Sequence, residues 1–399
     1  MSYRFHASAP PGEWINDPNA LFFRDGRYQL LVQHAADAPD FKHIGWGRLS
    51  SPDLIDWRWE GVALPPDAEH SRYSGSLVGD RLFFTDHDRG RVWQRQRQAL
   101  LAPDIGSARL LPGSFGPEGR NARDPFVWRS PQGWRMLVAL PCDWTDWRND
   151  RRSTLQLWGS PDLECWEQLA VIGPWSPAGV LWEVPAVIDL GERQALILSL
   201  VDRRGDETRC EVRYWLGRFD ANGFARDPSA PAEGLLLDHG PDLYAAIPND
   251  ADGWPSPERV VVGWASSWRT ARSWAAPEAR GGGPIAMPRR VSLAGDRLLL
   301  APAVQRRADW IGELRPGAPL TIRTDTARLA ISIEQGEVRV RREGPDLWNY
   351  SRTAALPLIR GEAAHCFIDG PLIELFWSGL TVTALLAGDD APRVTPTPD

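Results

Sequence analysis

Cysteine is scarce: Cys142, Cys165, Cys210 and Cys366 are the four in 399 residues, and they show no C-x-x-C or Cys–His spacing. That scatter argues against a structural zinc site and against a disulfide framework. The N-terminal stretch MSYRFHASAPPGEW lacks an apolar run long enough for a signal peptide. No segment approaches the ~20 apolar residues of a membrane span. A basic excess is missing too, since the net charge is −7 and the pI is near 5.6. That balance argues against a nucleic-acid partner, which would need a basic face. The one local basic run, RGRVWQRQRQ (89–98), alternates Arg with Gln and reads as a solvated strand face. No long amphipathic helical pattern occurs. These absences leave a cytoplasmic enzyme or binding protein, with no nucleic acid and no membrane among its partners.

What is present is ordinary in bulk, with 43% hydrophobic and 24% charged residues, and the length suggests about two domains. The 21 tryptophans are the exception. Most would fill a β-rich core, although an indole face also suits stacking on a sugar ring.

Organisation comes from punctuation. WINDPNALFFRDGRYQLLVQ (14–33), RDPFVWRSPQGWRMLVAL (from 123) and EVPAVIDLGERQALILSL (from 183) share one plan. Each places a carboxylate (Asp17, Asp124, Glu183) at or just before a proline, then an apolar run, a glycine turn and a second apolar run. Proline lacks an amide N–H and belongs at a strand's start, and glycine supplies the positive φ of a tight turn. A second repeat runs out of phase: SSPDLIDW (50–57) returns as GSPDLECW (159–166). Asp53 and Asp162 are 109 residues apart and Asp17 and Asp124 are 107 apart, so half the displacement is near the length of a four-stranded propeller blade. YSGSLVGDRLFF (73–84) supplies the middle copy, and DLYAAIPND (242–250) with RVVVGWASSW (259–268) a fifth. The markers Asp17, Ser74, Asp124, Glu183 and Asp242 are separated by 57, 50, 59 and 59 residues. The expectation is an all-β chain with a five-bladed β-propeller over 1–293 that brings these markers to one axial funnel. From 294 to 399, short alternating strands (DRLLLAPAV, PLTIRTD, RLAISIEQGEVRVRRE, HCFIDGPLIELFW, LTVTALLAG) read as a C-terminal β-sandwich, with RVTPTPD frayed. Asp369 and Glu374 fall in one of its strand pairs and are expected to be structural.

Three converging carboxylates with no Cys or His partner suggest a metal site or glycoside chemistry. Oxygen-rich metal sites need several ligands around one ion, and no loop of EF-hand type is present. Glycoside hydrolysis needs a carboxylate and a carboxylic acid flanking the scissile bond. Spacing alone leaves the roles open.

W-I-N-D-P-N (14–19) resembles the signature of glycoside hydrolase family 32, the invertases, levanases and inulinases. Further segments resemble that family in order: YSGS (73–76), ARDP (122–125), WEVP (182–185), LDHGPDLYA (237–245), VVGWASSW, PIAMPRRVSL and CFIDGPLIELF. The resemblance implies a five-bladed propeller followed by a β-sandwich. It implies a retaining β-fructofuranosidase, acting on sucrose or short fructans through a covalent fructosyl-enzyme, without cofactor or metal. Asp17 would be the nucleophile and Glu183 the general acid/base. Asp124, with Arg123, would grip fructose hydroxyls. Asn16, Gln33, Trp46, Tyr73, Ser74, Asp242 and Tyr244 match positions that hold the sugar. Fructosyl transfer on the same site, a non-catalytic fructoside-binding protein and a related five-bladed enzyme for arabinose or xylose are the alternatives. The sequence departs from the family pattern at Val184 (usually Cys), Ala20 (more often Gly), Phe41 (in place of a Trp) and Arg48 (in place of a His). Nothing in the sequence sets an oligomeric state.

Overall fold

The computed structural model describes residues 3–37, 41–90, 93–100, 109–110, 122–142, 152–204, 208–250, 252–273, 282–345, 349–355 and 362–395, with backbone only for 93–100 and 109–110. The solvated face expected of 89–98 falls mostly on side chains outside these residues.

Five antiparallel sheets follow one another along the described chain, each built in sequence order. The first joins Trp14–Arg24, Arg27–Ala35, Gly45–Ser51 and Arg58–Leu64, and the second His70–Val78, Arg81–Asp88, Trp93–Leu100 and Arg109–Leu110. The third joins Arg123–Ser130, Gly133–Leu140, Thr154–Ser160 and Glu167–Ile172. The fourth joins Val180–Asp189, Gln194–Asp202, Arg209–Asp220 and Gly223–Arg226, with Leu235–Leu236 added beside the third strand. The fifth joins Tyr244–Pro248, Arg259–Trp264, Arg289–Ala294 and Arg297–Pro302. The first strands of successive sheets touch, and that of the fifth returns to that of the first, where Asp250 N–H donates to the Leu21 carbonyl at 2.7 Å. This is a closed five-bladed propeller, and its first strands line the axis.

The fifth blade corrects the expected boundary at 293. Arg297–Pro302, assigned to the sandwich by its alternating pattern, pairs along its whole length with Arg289–Ala294. The sandwich that follows packs a sheet of Trp310–Gly312, Ala364–Asp369, Leu372–Trp377 and Leu380–Leu385 on a second sheet. That sheet contains Tyr350–Ala355, Glu337–Glu343, Arg328–Glu334, Leu320–Arg323 and Arg393–Thr395. The last of these is the RVT expected to fray; it is held by pairing with Leu320–Arg323. Ile322, Leu329, Ile331, Val338, Val340, Ile373, Leu375 and Val382 fill the space between the sheets.

Both repeats have a local cause. Asp25 and Gly26 have φ of 52° and 73° between paired Arg24 and Arg27, so the Asp-Gly dipeptide closes a two-residue hairpin whose twist matches the strands. In the out-of-phase repeat, Asp53 Oδ1 accepts from the amides of Ile55 and Asp56, and Asp162 Oδ1 from those of Glu164 and Cys165. Trp57 and Trp166 cap the two turns through bonds to the Leu54 and Leu163 carbonyls.

The prolines sit differently from expectation. Pro18, Pro125 and Pro185 lie inside first strands rather than at their starts, where the pairing with the second strand slips. Equivalent slips occur at Ser74 and at Ala245–Ala246. A bulge leaves a ladder position unpaired, so a residue without an N–H is tolerated there.

Propeller and sandwich meet through buried charge. Asp238 Oδ2 accepts from Arg289 Nη1 (3.0 Å), and Arg289 Nη2 donates to Glu374 Oε1 (2.8 Å). His6 lies between Glu374 (2.7 Å) and Asp369 (2.8 Å); burial would lower its imidazole pKa, and the two carboxylates together raise it. Asp242 Oδ2 accepts from Leu385 N–H (2.8 Å) and pairs with the Arg342 guanidinium, while Thr270 donates to Oδ1. Removing one partner of a buried pair strands the other charge, at a cost of roughly 3–5 kcal/mol. Asp242→Ala is therefore expected to lower the urea midpoint sharply, and Asp242→Ala with Arg342→Met to recover much of it. Equal stability of Asp242→Ala and the parent would show that the interface does not depend on this pair.

Candidate active site

The bulges decide what faces the funnel. In a regular strand, consecutive side chains alternate faces; an inserted residue breaks that period and turns neighbours toward one side. Three of the bulges place non-glycine residues at positive φ: Asp124 (60°), Val184 (47°) and Ala245 (50°). Such backbone is costly away from glycine, and at these three positions it lies in strands that line the axis.

Asp17 (6% exposed) is held by neutral donors. Asn16 Nδ2 donates to Asp17 Oδ1 (3.0 Å) and to Gln33 Oε1 (2.9 Å), and Ser74 Oγ donates to Asp17 Oδ2 (2.7 Å). Gln33 Nε2 contacts Ser74 Oγ and lies 3.5 Å from Asp17 Oδ2. Trp14 Nε1 fixes the Asn16 amide through Oδ1 at 2.9 Å. Glu183 (7% exposed) has different company: Arg123 Nη1 donates to Oε1 (2.9 Å) and Tyr244 OH to Oε2 (2.7 Å). Asp124 Oδ2 accepts from Val184 N–H (2.9 Å), and the Asp124 amide donates to Thr85 Oγ1 (2.8 Å). Four blades thus supply Asp17, Asp124, Glu183 and Tyr244, with Ser74 from the remaining one.

Burial pushes the Asp17 carboxyl up to about 7; Ser74 and Asn16 pull it down while the Glu183 charge adds to the rise. Asp124 is likewise raised to about 7, by burial first and then by Glu183, against the pull of Arg123. The three carboxylates are close enough to repel one another, and one guanidinium answers them.

At the mouth, Phe41 stacks on Tyr73 (5.5 Å between ring centres) and meets Trp268 edge-on (5.0 Å), and Tyr73 stacks on His87 (4.7 Å). Phe41 therefore keeps an aromatic surface at the position expected to differ.

Two expected sugar contacts are corrected. Trp46 is fully buried on the third strand of its blade, in a core with Phe22, Leu31 and Phe84, and its Nε1 is spent on the Tyr73 carbonyl (3.1 Å). Asp242, also fully buried, is the anchor of Arg342 described above. Thr85, Trp14, Trp268 and the Val184 amide were not singled out by the sequence. Trp14 and Trp268 stood inside quoted motifs, whereas a backbone amide leaves no residue-type signal.

Among the described residues, no group of three or more His, Cys, Asp or Glu is arranged to hold a metal ion. A pair of buried carboxylates with unlike partners is suited to nucleophilic attack and proton transfer at a glycosidic carbon.

Residues 6–302 match the family described as Glycosyl hydrolases family 32 N-terminal domain. A sucrose-6-phosphate hydrolase of Zymomonas mobilis is 28% identical over 327 residues, covering 75% of this chain and 61% of that protein. One from Escherichia coli is 29% identical over 329 residues, covering 75% of this chain and 64% of that protein. The chain thus spans a little over six tenths of the length of these two relatives. Among solved structures, the β-fructofuranosidase of Bombyx mori aligns with a TM-score of 0.77 at 22% identity, covering 98% of this chain and 90% of the other, a likeness of fold.

A carboxyl whose pKa is raised by folding binds protons more tightly in the native state. Between about pH 4 and pH 7 the native state therefore holds more protons than the unfolded chain, and stability falls as pH rises. Asp17→Asn removes that penalty. It is expected to raise the melting temperature at pH 7 by a few degrees and to flatten its decline between pH 4 and 7. An unchanged or lower melting temperature would count against a raised Asp17.

Proposed function

The chain belongs to glycosyl hydrolase family 32, and from that membership we propose a retaining β-fructofuranosidase that releases terminal β-D-fructosyl units from sucrose or short fructans. The observation that carries the reading is the unlike treatment of two buried carboxylates: neutral amide and hydroxyl donors on Asp17, a guanidinium and a phenol on Glu183.

In the first step an Asp17 carboxylate oxygen attacks carbon 2 of the fructosyl unit. The bond from carbon 2 to the leaving oxygen breaks, and Glu183 gives that oxygen its proton. Ester formation removes the charge that burial disfavours at Asp17. Arg123 and Tyr244 stabilise the carboxylate that Glu183 becomes, through charge-assisted bonds already in place. In the second step Glu183 takes a proton from water, the water oxygen attacks carbon 2, and the ester bond to Asp17 breaks. Asp124, fixed through Oδ2 by the Val184 amide, accepts fructose hydroxyls through its other oxygen. Ser74, Asn16 and Gln33 orient the nucleophile.

Losing an acid/base slows a step in proportion to the proton it needs, typically about 10²–10⁴-fold. Glu183→Ala is expected to be slow on sucrose, whose alkoxide leaves badly, and to recover the first step on an aryl fructoside. Azide should then accelerate turnover and give a retained fructosyl azide. Asp17→Ala should show neither effect. Equal losses of Glu183→Ala on both substrates, with no response to azide, would remove Glu183 from its role.

A further inference from the structure

Between the fourth and fifth blades and the five-stranded sheet of the sandwich lies a cavity of about 440 Å3. Arg209, Arg269, Arg341, Arg342 and Arg352 line it, against one carboxylate, Glu343. In a chain of net charge −7 this is a local reversal of sign.

The arginines are not equivalent. Arg342 is committed to Asp242 and Arg352 to Glu211. Glu343 lies 3.7 Å from Arg328, which is not part of the lining. Arg341 reaches Glu334 only at 3.5 Å, and Arg339 already holds that carboxylate at 2.7 Å. Arg209 is exposed and pairs across its hairpin with Asp202, whose two oxygens are taken by Arg204 at 2.9 and 2.7 Å. Burial lowers the Arg342 guanidinium, Asp242 restores part of the fall, and the charge of Arg269 lowers it again. The charge of Arg269 thus adds to the positive potential of the lining.

Size and neutral lining narrow the ligand. A volume of about 440 Å3 exceeds what a bare oxyanion fills and lies within the ~300–1,000 Å3 of small-molecule sites. Thr208, Asn349 and Ser351 add hydroxyl and amide groups suited to a polyol, and the guanidinium fork matches phosphate oxygens. We propose that this cavity binds a phosphorylated sugar, with the phosphate on Arg209 and Arg341 and the sugar hydroxyls on the neutral polar groups.

The cavity and the funnel share a wall. Cys210 lines the cavity; burial pushes its thiol up to about 12, and the charge of Glu183 contributes to the rise. Trp268, next to Arg269, packs on Phe41 at the funnel mouth. The phosphate can thus belong to the leaving-group end of a substrate or to a separate free ligand. Binding itself does not depend on the fructosidase reading, whereas this distinction rests on it.

Calorimetry on the full chain at constant ionic strength, with glucose 6-phosphate, glucose and inorganic phosphate as probes, tests the binding. Glucose 6-phosphate is expected to bind at least about tenfold more tightly than either other probe, and Arg209→Gln with Arg341→Gln to weaken it at least about tenfold. Both arginines are exposed and outside the catalytic set, so kcat/KM on sucrose should stay within about twofold. Binding of glucose 6-phosphate no tighter than that of glucose or inorganic phosphate, or unchanged in the double variant, overturns the proposal. The source is read from kinetics. If the phosphate is the substrate's own, the double variant loses preference for phosphorylated sucrose over sucrose, and glucose 6-phosphate competes with sucrose. If it is a free ligand, that preference is unchanged and glucose 6-phosphate alters kcat without competing. Should the chain hydrolyse neither sugar, calorimetry still decides the cavity's ligand while the fructosidase reading fails.

Discussion

A β-strand offers its side chains alternately to two faces, and a funnel lined by strands must break that rule to concentrate polar groups. The interruptions in the first strands of the five blades do this. They let Asn16 beside Asp17 and Arg123 beside Asp124 join one polar network, and they aim the Val184 amide at Asp124. Of the prolines that mark the repeat, Pro125 and Pro185 occupy the ladder gaps so created, and Pro18 sits opposite Val32 between two slips. Ring closure, blade order and the sandwich serve to hold these five irregular segments at fixed spacing.

That convergence has an electrostatic consequence. Three carboxylates buried together with Arg123 raise the energy of the native state, as the upward shifts of Asp17 and Asp124 show. The interface with the sandwich has the opposite character. There Asp238, Glu374 and Asp369 are pulled below their ordinary values by arginine, histidine and backbone donors that outweigh burial. Repulsion between carboxylates gathers on the axis, while satisfied charge gathers where propeller meets sandwich. The two kinds of buried carboxylate differ in neighbours, not in depth.

This difference explains how far the sequence could be read. Repeated punctuation revealed the blades because Asp25-Gly26 and the Ser-Pro-Asp-Leu turns act through neighbours in sequence. The three carboxylates were legible for the same reason, as repeats in one register. Asp242 stood in that register too, yet its partner Arg342 is 100 residues away in the sandwich, and no local signal separates an anchor from a sugar ligand. Trp46 was misread because a tryptophan pattern does not say which strand of a blade carries it. The boundary at 293 failed since the outer strand of the fifth blade alternates like any sandwich strand. Tyr244 stood in its motif, but its bond to Glu183 depends on the first strands of blades four and five lying side by side.

Val184 shows how the site limits what its residues must be. The position needs positive φ so that its amide can face Asp124, and a β-branched residue there bears strain of about 1–3 kcal/mol. Its side chain is buried in the core that also holds Leu181, Val201 and Ala245. The Asp124 contact therefore uses only backbone. The departure from the cysteine of the family motif thus falls on a side chain that the Asp124 contact does not use. Relaxing the backbone would draw the amide away from Asp124 and free a carboxylate that Glu183 already repels. The strain at Val184 and the placement of Asp124 are one constraint, and the identity of the side chain is secondary to it.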